Sequence, residues 1–461
     1  MTVVTGGPVA DLIAELGDAA VIDSDTMIAY TRDQALLCPS GLPLAVVRAR
    51  TVDHVVATLK TAHRHGIPVV TRGAGTGLAG GANAVDGCIV LSTETLDRIL
   101  AVDEQSRTAT VEAGVINGDL ATAVAARGLW YVPDPGSRAV STIGGNLATD
   151  AGGACCAKYG VTGDHVARIK AVLADGRIIH TGAVTRKNVA GLNLTRLLVG
   201  SEGTLAVIVE ATVRLRRTPV HTATVVAAFP DTVQAVDAVL AIQAVADPSL
   251  VELMDRTTIA AVNDMTRMGL DETAGALLLI QCDGDAAEAE AQRSADACRA
   301  AAATELYVST DAAEGDALMQ ARRVALTALE RRGSTLLDDL AVPVPRLPHM
   351  LDAITRIADR HRLLIGTFGH AADGNLHPTI VFDAADPDAA DPDAADRAHR
   401  AFDEMVTRCL ALGGSITGEH GVGSLKRRYL EPMIGSVERS LMSGIKAAFD
   451  PTGILNPGRA I

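Results

Sequence analysis

At 461 residues with 48% apolar side chains, the chain is too long for one small core and predicts two or three domains, each with enough apolar surface to bury. Its 41 basic against 55 acidic residues leave a formal net charge of −14, which repels nucleic acid and anionic membranes but leaves small anions as ligands for a few arginines inside a cleft. Aromatic residues make up only 2%, too few for a base-stacking platform, and seven cysteines without a C-x-x-C spacing support neither a disulfide framework nor an iron–sulfur site.

The N-terminus shows no basic region followed by an apolar one, and no stretch approaches the roughly 20 apolar residues that span a bilayer, so a soluble, cytoplasmic protein is expected. A short strand over 44–47 precedes a helix opened by Thr51 and Asp53, and Val69-Val70 forms a second strand. That strand runs into RGAGTGLAGG (72–81), the densest glycine cluster of the chain. Gly75 to Gly80 spell G-x-G-x-x-G, but only residues 81–87 separate the cluster from the next apparent strand at 88–91, leaving no room for the helix of a βαβ dinucleotide unit. The cluster is therefore read as a loop between strands whose backbone amides close around a phosphate. Further strands are predicted over 108–112, 169–173, 178–180 and 205–215. Two more glycine-rich runs lie among them, PDPGSRAVSTIGGN (133–146), continuing to DAGG (150–153), and GSEGTL (200–205). Three such loops in one α+β region suit an extended diphosphate ligand, and flavin adenine dinucleotide has the required length. Adjacent Cys155 and Cys156 beside Gly152 and Gly153 read as small apolar filler.

After Pro219 the pattern changes to a strand over 224–229, a helix over 232–246, a strand over 276–282, an Ala/Arg/Glu-rich helix over 286–303 and a strand near Tyr307. This reads as a second α+β domain with its boundary near residue 218. The tandem repeat DAADPDAADPDAAD (383–396) reads as an exposed loop, followed by a helix whose Phe402, Met405, Val406, Cys409 and Leu410 have core spacing. Two late segments, GHAADGNLH (369–377) and GEHGVG (418–423), contribute three imidazoles and two carboxylates. Apolar runs flank Asp373-Gly374-Asn375, which predicts a hairpin with His370 and His377 at its mouth. Two neutral imidazoles and one carboxylate form a common ligand set for a catalytic divalent metal, with Glu419 available as the carboxylate and His420 as a neighbouring base.

The motifs RGAGTGLAGG, DPGSRAVSTIGGNLATDAGG, KYGVTGDHV, LVGSEGTLAVI, GHAADGNLHPTIVFD, TGEHGVGSLK and FDPTGILNPGR, in that order, resemble the FAD-linked D-2-hydroxy-acid dehydrogenase family over nearly the whole chain. Its members include the FAD subunit of glycolate oxidase, D-lactate dehydrogenases and D-2-hydroxyglutarate dehydrogenases. The resemblance implies an α+β fold. A vanillyl-alcohol-oxidase/PCMH-type FAD-binding domain (1–217) is followed by a ferredoxin-like substrate domain (218–415) and a C-terminal segment (416–461) that returns to the flavin. It implies cofactor contacts from Arg72, Gly73, Ala74, Gly75, Thr76, Gly77, Gly80, Gly81 and Asn83 at the diphosphate. Further contacts come from Pro135, Gly136, Ser137, Thr142, Gly145, Asn146, Gly152, Glu202, Gly203, Val207 and Asn456 along the rest of FAD. The resemblance implies metal ligation by His370, His377 and Glu419, for zinc, manganese or iron. His420 is the base, and Arg322 grips the substrate carboxylate, a role open also to Arg323. The first glycine loop has no His, so FAD is expected to be held non-covalently.

Ala372 stands where the family usually has Gly, and Asp150 where Asn is common. Leu337 occupies the place of a lysine in hydroxyglutarate dehydrogenases, and Thr379 that of an Asn, which favours a small monocarboxylate such as D-lactate or glycolate over a dicarboxylate. A non-catalytic flavin-binding accessory subunit and a flavin-dependent transferase sharing the fold are the rival readings. Electrons are expected to leave to an external acceptor, whether a quinone, cytochrome, electron-transfer flavoprotein or partner subunit. A homodimer, with peripheral membrane attachment left open, completes the expectation.

Overall fold

A computed structural model describes residues 7–384, 391 and 393–461. The chain divides into two compact units. The first comprises the chain up to Gly152 together with Gly160–Thr218 and Glu419–Ile461, and the second comprises Gly153–Tyr159 and Pro219–Gly418.

The strands in chain order are β1 (Ala20–Val21), β2 (Ala45–Arg48), β3 (Val69–Arg72), β4 (Ile89–Ser92), β5 (Ile99–Asp103), β6 (Thr108–Glu112), β7 (Leu129–Trp130), β8 (Val166–Val172), β9 (Ile178–Gly182), β10 (Val207–Arg214) and β11 (Arg216–Arg217) in the first unit. They continue in the second as β12 (Thr222–Phe229), β13 (Leu250–Asp255), β14 (Ala276–Asp283), β15 (Glu305–Ser309), β16 (Gly333–Leu337), β17 (Leu340–Ala341), β18 (Leu364–His370) and β19 (Asn375–Ala384).

In the first unit, one sheet has the order β1-β2-β4-β3, with β2, β4 and β3 parallel. Parallel strands buried on both faces read as continuous apolar runs, and here successive residues serve opposite cores. Ala45, Val47, Val69, Ile89 and Leu91 join a cluster with the helix residues Val55 and Leu59, while Val46, Val70 and Val90 join a smaller one with Cys88. The helix Val52–His65 on this sheet is opened by Thr51, whose hydroxyl accepts from the His54 amide, and closed by Gly66 in the left-handed region. No helix lies between β3 and β4, so the first glycine cluster is an inter-strand loop, as its short spacing predicts. The second sheet, β5-β6-β10-β8-β9, is antiparallel throughout and packs Ala109, Val111, Ile169, Ala211 and Val213 against Leu120, Val124, Ile143 and Leu147 of two helices. The last segment of this unit joins the first sheet through a parallel bridge between Val69 and Leu455.

The second unit is built on an antiparallel sheet of eight strands, with seven in the order β15-β12-β14-β13-β18-β19-β16 and β17 paired to β19. The predicted strand–helix alternation after Pro219 is present, with helices Thr232–Val245 and Ala287–Ala300 close to their expected bounds. Phe402, Met405, Val406 and Cys409 are buried on the helix Ala394–Ala411, while Leu410 is only half-buried. Residues 385–390 and 392 of the Asp/Pro repeat lie outside the described residues; Asp391 and Asp393 are exposed and residues from Ala394 belong to the helix. Cys155 packs in the apolar cluster with Leu250, Met254 and Phe368. No described helix is long and apolar enough to cross a membrane.

Candidate functional site

In the first unit, β3 delivers Arg72 to the first glycine loop. Among the described residues, the amides of Gly73, Ala74, Gly75, Thr76 and Gly77 donate to no acceptor of the protein. A run of successive N–H groups without internal partners is an anion-binding concavity, and it suits a diphosphate. The loop is fixed from behind by Arg72 and Asn83 together with Asp33 and Arg459, two residues that sequence reasoning missed. Buried Asp33 accepts from the Ala35 amide at 3.0 Å and from the Ala82 amide at 3.4 Å, while its own amide donates to Asn83 Oδ1 at 2.7 Å. Arg72 donates from Nη1 to the Arg32 carbonyl at 2.8 Å, and Arg459 donates to the Asn83 carbonyl at 2.7 Å. The side chains of Asn83 and Arg72 therefore help to shape the loop.

The second glycine run turns at Pro135, whose carbonyl accepts from the Arg138 amide, and at Ser137, whose carbonyl accepts from Val140 and Ser141; Gly136 is exposed. Thr142 then caps the helix Ile143–Thr149, its hydroxyl accepting from the Gly145 amide at 3.1 Å. Asn146 donates to Ser141 Oγ at 3.2 Å and accepts from Asn117 at 3.0 Å. Asp150 ends that helix in the left-handed region, and its carboxylate accepts from the Gly163 amide at 2.7 Å. Gly152 is the last residue of the first unit's opening segment.

The third run, leading through Gly203 to Val207 at the start of β10, places Glu202 at φ 50° with its side chain buried. Its carboxylate accepts from the amides of Val422 and Gly423, each at 2.7 Å. Glu202 thus organises the loop that follows His420. Burial pushes its carboxyl up to about 7, against the lowering effect of those two amides. Asn456 accepts from the Thr71 amide at 2.9 Å and donates to the Glu202 carbonyl at 2.6 Å, tying the tail to both loops. The Gly80 carbonyl accepts from Ser424 Oγ at 3.5 Å, next to Gly423, whose amide donates to Glu202.

In the second unit, β18 and β19 form the predicted hairpin, with a tighter register than the apolar runs suggest: His370 pairs directly with Asn375, and residues 371–374 make the turn. Because His377 faces Phe368 in the same ladder, residues 368, 370, 375 and 377 share one face. The two buried imidazoles meet edge to face, with centroids 5.2 Å apart. On the other side of β18, Glu252 of β13 is the cross-strand partner of His370. Its Oε1 lies 2.6 Å from His370 Nδ1, and its Oε2 lies 2.5 Å from Arg322 Nε. Burial raises the Glu252 carboxyl, but the facing His370 and Arg322 outweigh it and hold the group below the usual carboxylate range. The Arg322 guanidinium also sits 4.5 Å over the Phe368 ring. Arg323, in contrast, is turned outward to Asp316 at 2.6 Å.

Asp339 is fully buried and accepts from Asn375 Nδ2 at 2.7 Å, Thr417 Oγ1 at 2.7 Å and the Gly418 amide at 2.8 Å. It anchors the end of the second unit immediately before Glu419. Glu419 and His420 open the final segment of the first unit, their side chains half-buried and 3.8 Å apart. An ionised carboxylate only accepts, so the contact with Glu252 assigns the His370 proton to Nδ1 and makes Nε2 the ring nitrogen that carries the lone pair. That donor chemistry suits a divalent transition metal. Glu252 and Asp339 were not legible as site residues, although an acid inside the apolar run LVELMD is a signal of a buried, partnered charge.

Residues 43–182 match the family described as FAD binding domain, and residues 218–460 match FAD linked oxidases, C-terminal domain. The chain is 41% identical over 425 residues to the glycolate oxidase subunit GlcD of Bacillus subtilis (strain 168), covering 91% of this chain and 89% of that protein. It is 34% identical over 420 residues to a D-lactate dehydrogenase of Archaeoglobus fulgidus, covering 90% and 91%. A solved structure of p-cresol methylhydroxylase with substrate bound superposes with a TM-score of 0.80 at 19% identity, covering 98% of this chain and 96% of that one. This likeness shows a PCMH-type fold.

Proposed function

This chain belongs to the FAD-linked oxidases, and from that membership we propose that it oxidises a small D-2-hydroxy acid, D-lactate or glycolate, to the 2-oxo acid with FAD as the immediate electron acceptor. The names of its relatives support the reaction class. The observation that carries the reading is the pair of buried imidazoles on one face of the β18–β19 hairpin, with a carboxylate fixing the first of them.

Bound here, FAD supplies a hydride acceptor and a divalent cation supplies Lewis acidity toward the substrate hydroxyl. The backbone of Arg72 to Gly77 holds the diphosphate, without a covalent tether because no His lies in that loop. His370, His377 and Glu419 hold the cation, and zinc, manganese or iron suits this ligand set. His420 takes the hydroxyl proton as the Cα–H bond breaks, and Arg322 faces the substrate carboxylate. The size preference follows from β16 and β19, where Leu337 and Thr379 are direct cross-strand partners. Leu337 packs against the apolar cluster of the unit, so this pair offers no cation to a second carboxylate. Reoxidation falls to an external acceptor, whether quinone, cytochrome, electron-transfer flavoprotein or partner subunit, and the working form is a cytoplasmic homodimer, at the membrane surface where the acceptor is a quinone.

The test is anaerobic mixing of the FAD-loaded protein with D-lactate or glycolate while the visible flavin absorbance is followed. His420→Ala should slow bleaching by about 10²-fold or more, the scale of general base catalysis, with bound flavin unchanged. A near wild-type rate in that variant removes His420 from the proton transfer.

A further inference from the structure

The ladder β13-β18-β19 puts a carboxylate, an imidazole and an amide in one row: Glu252, His370 and Asn375. Glu252 is 1% exposed, and its two oxygens are divided between two partners 70 and 118 residues away in sequence, Arg322 through Oε2 at 2.5 Å and His370 through Oε1 at 2.6 Å. A buried carboxylate among the apolar residues Val251, Leu253 and Met254 is costly to desolvate, and it persists here with one oxygen hydrogen-bonded to an imidazole and the other ion-paired to a guanidinium. Arg322 in turn is braced by stacking 4.5 Å over Phe368, the neighbour of His377 on the shared hairpin face. The four side chains form one brace, in which Glu252 Oε1 faces His370 Nδ1 at 2.6 Å.

We infer that Glu252 is a positioning residue: it locks His370 in the Nδ1–H tautomer, so that Nε2 carries the lone pair, and holds Arg322 in register with the same hairpin face. Nothing in this role requires Glu252 to touch substrate. It deepens the reading of His370 as a metal ligand and rests on that reading only for its consequence for metal affinity. The tautomer is a property of the protein alone. Carboxylate–histidine pairs of this kind alter metal affinity about 10- to 100-fold when the carboxylate is removed.

The experiment compares wild type, Glu252→Met and the double variant Glu252→Met/Arg322→Met in the FAD-loaded full chain. The single variant keeps the volume of the side chain but leaves Arg322 without its buried counter-charge; the double variant removes both charges together and keeps the fold accessible if the single one unfolds. Imidazole nitrogen NMR on chelator-treated protein, with the His370 resonances identified by their loss in His370→Ala, reads the tautomer. Zinc titration reads affinity. Wild type is expected to show Nδ1–H at His370, and the double variant a shift toward Nε2–H with zinc affinity about 10- to 100-fold weaker. An unchanged tautomer in the double variant overturns the assignment. If the tautomer shifts while His370→Ala binds zinc as tightly as wild type, the ligand reading of His370 falls and the positioning role of Glu252 stands.

Discussion

Replacing Glu202 by glutamine should change how the stability of the protein depends on pH. The carboxyl is fully buried and pushed from its ordinary 4.5 up to about 7, burial outweighing the Val422 and Gly423 amides that favour the ionised form. Between these two values the folded chain keeps a proton that the unfolded chain has released. Stability therefore falls as pH rises through this window and levels off above about pH 7. The displacement corresponds to roughly 3 kcal/mol at about 1.4 kcal/mol for each tenfold change in proton affinity. Glutamine keeps the volume but cannot ionise, and its single carbonyl leaves one of the two amides without its acceptor, a pH-independent cost of about 1–3 kcal/mol. Urea unfolding of both proteins at several values between about pH 4.5 and pH 7.5 measures the difference. Glu202→Gln should be the less stable at the acid end and gain on wild type by roughly 3 kcal/mol across the window. Parallel curves, or a variant that loses ground as pH rises, would mean that Glu202 does not hold a proton in the folded chain.

Gly75→Ala should weaken FAD binding at least about tenfold, because the residue sits at φ 72° and an added Cβ would overlap Arg72 Nη2, displacing the guanidinium that braces the loop. The control is Gly66→Ala, also left-handed at φ 64° but with open space around the new Cβ; equilibrium FAD titration should detect the first change and not the second, which costs only about 1–2 kcal/mol of stability. Lys446→Met should release the C-terminal tail. Lys446 Nζ donates to the Thr204 carbonyl at 2.7 Å, the Leu455 carbonyl at 2.8 Å and Asp450 Oδ2 at 2.5 Å, and fully buried Asp450 would lose its counter-charge. Breaking such a pair costs about 3–5 kcal/mol, to be read as a lower Tm and faster proteolysis beyond Phe449.

The glycine loops and the histidine hairpin were legible because each is a local pattern. A strand followed by RGAGTGLAGG and then another strand leaves no room for a helix, and none is there. The hairpin at Asp373-Gly374 was readable from its flanking apolar runs, although its register was not, since the pairing of His370 with Asn375 is set by the ladder as a whole. What escaped were distant side-chain contacts, those of Glu252, which was not singled out, and those of Asn456 and Glu202, which were expected only at the cofactor. Glu252 meets His370 across 118 positions, Asn456 meets Thr71 across 385, and Glu202 reaches Val422 across 220. No periodicity carries such information. The motif GSEGTL pointed at the cofactor, whereas the Glu202 side chain itself is engaged by the backbone beyond His420. Lys446 and Asp450 have the i,i+4 spacing of an ordinary surface pair, yet Asp450 caps the helix end and both turn inward to hold the tail.

Hydride transfer from a small D-2-hydroxy acid to FAD can be watched in a single turnover, by anaerobic titration of the FAD-loaded protein with matched D- and L-lactate, glycolate and D-2-hydroxyglutarate. D-lactate or glycolate should bleach the visible flavin absorbance, with the 2-oxo acid formed in equal amount to reduced flavin, and the dicarboxylate should give little response. A flavin that stays oxidised with every 2-hydroxy acid, in protein shown to hold FAD and metal, would contradict the proposed reaction.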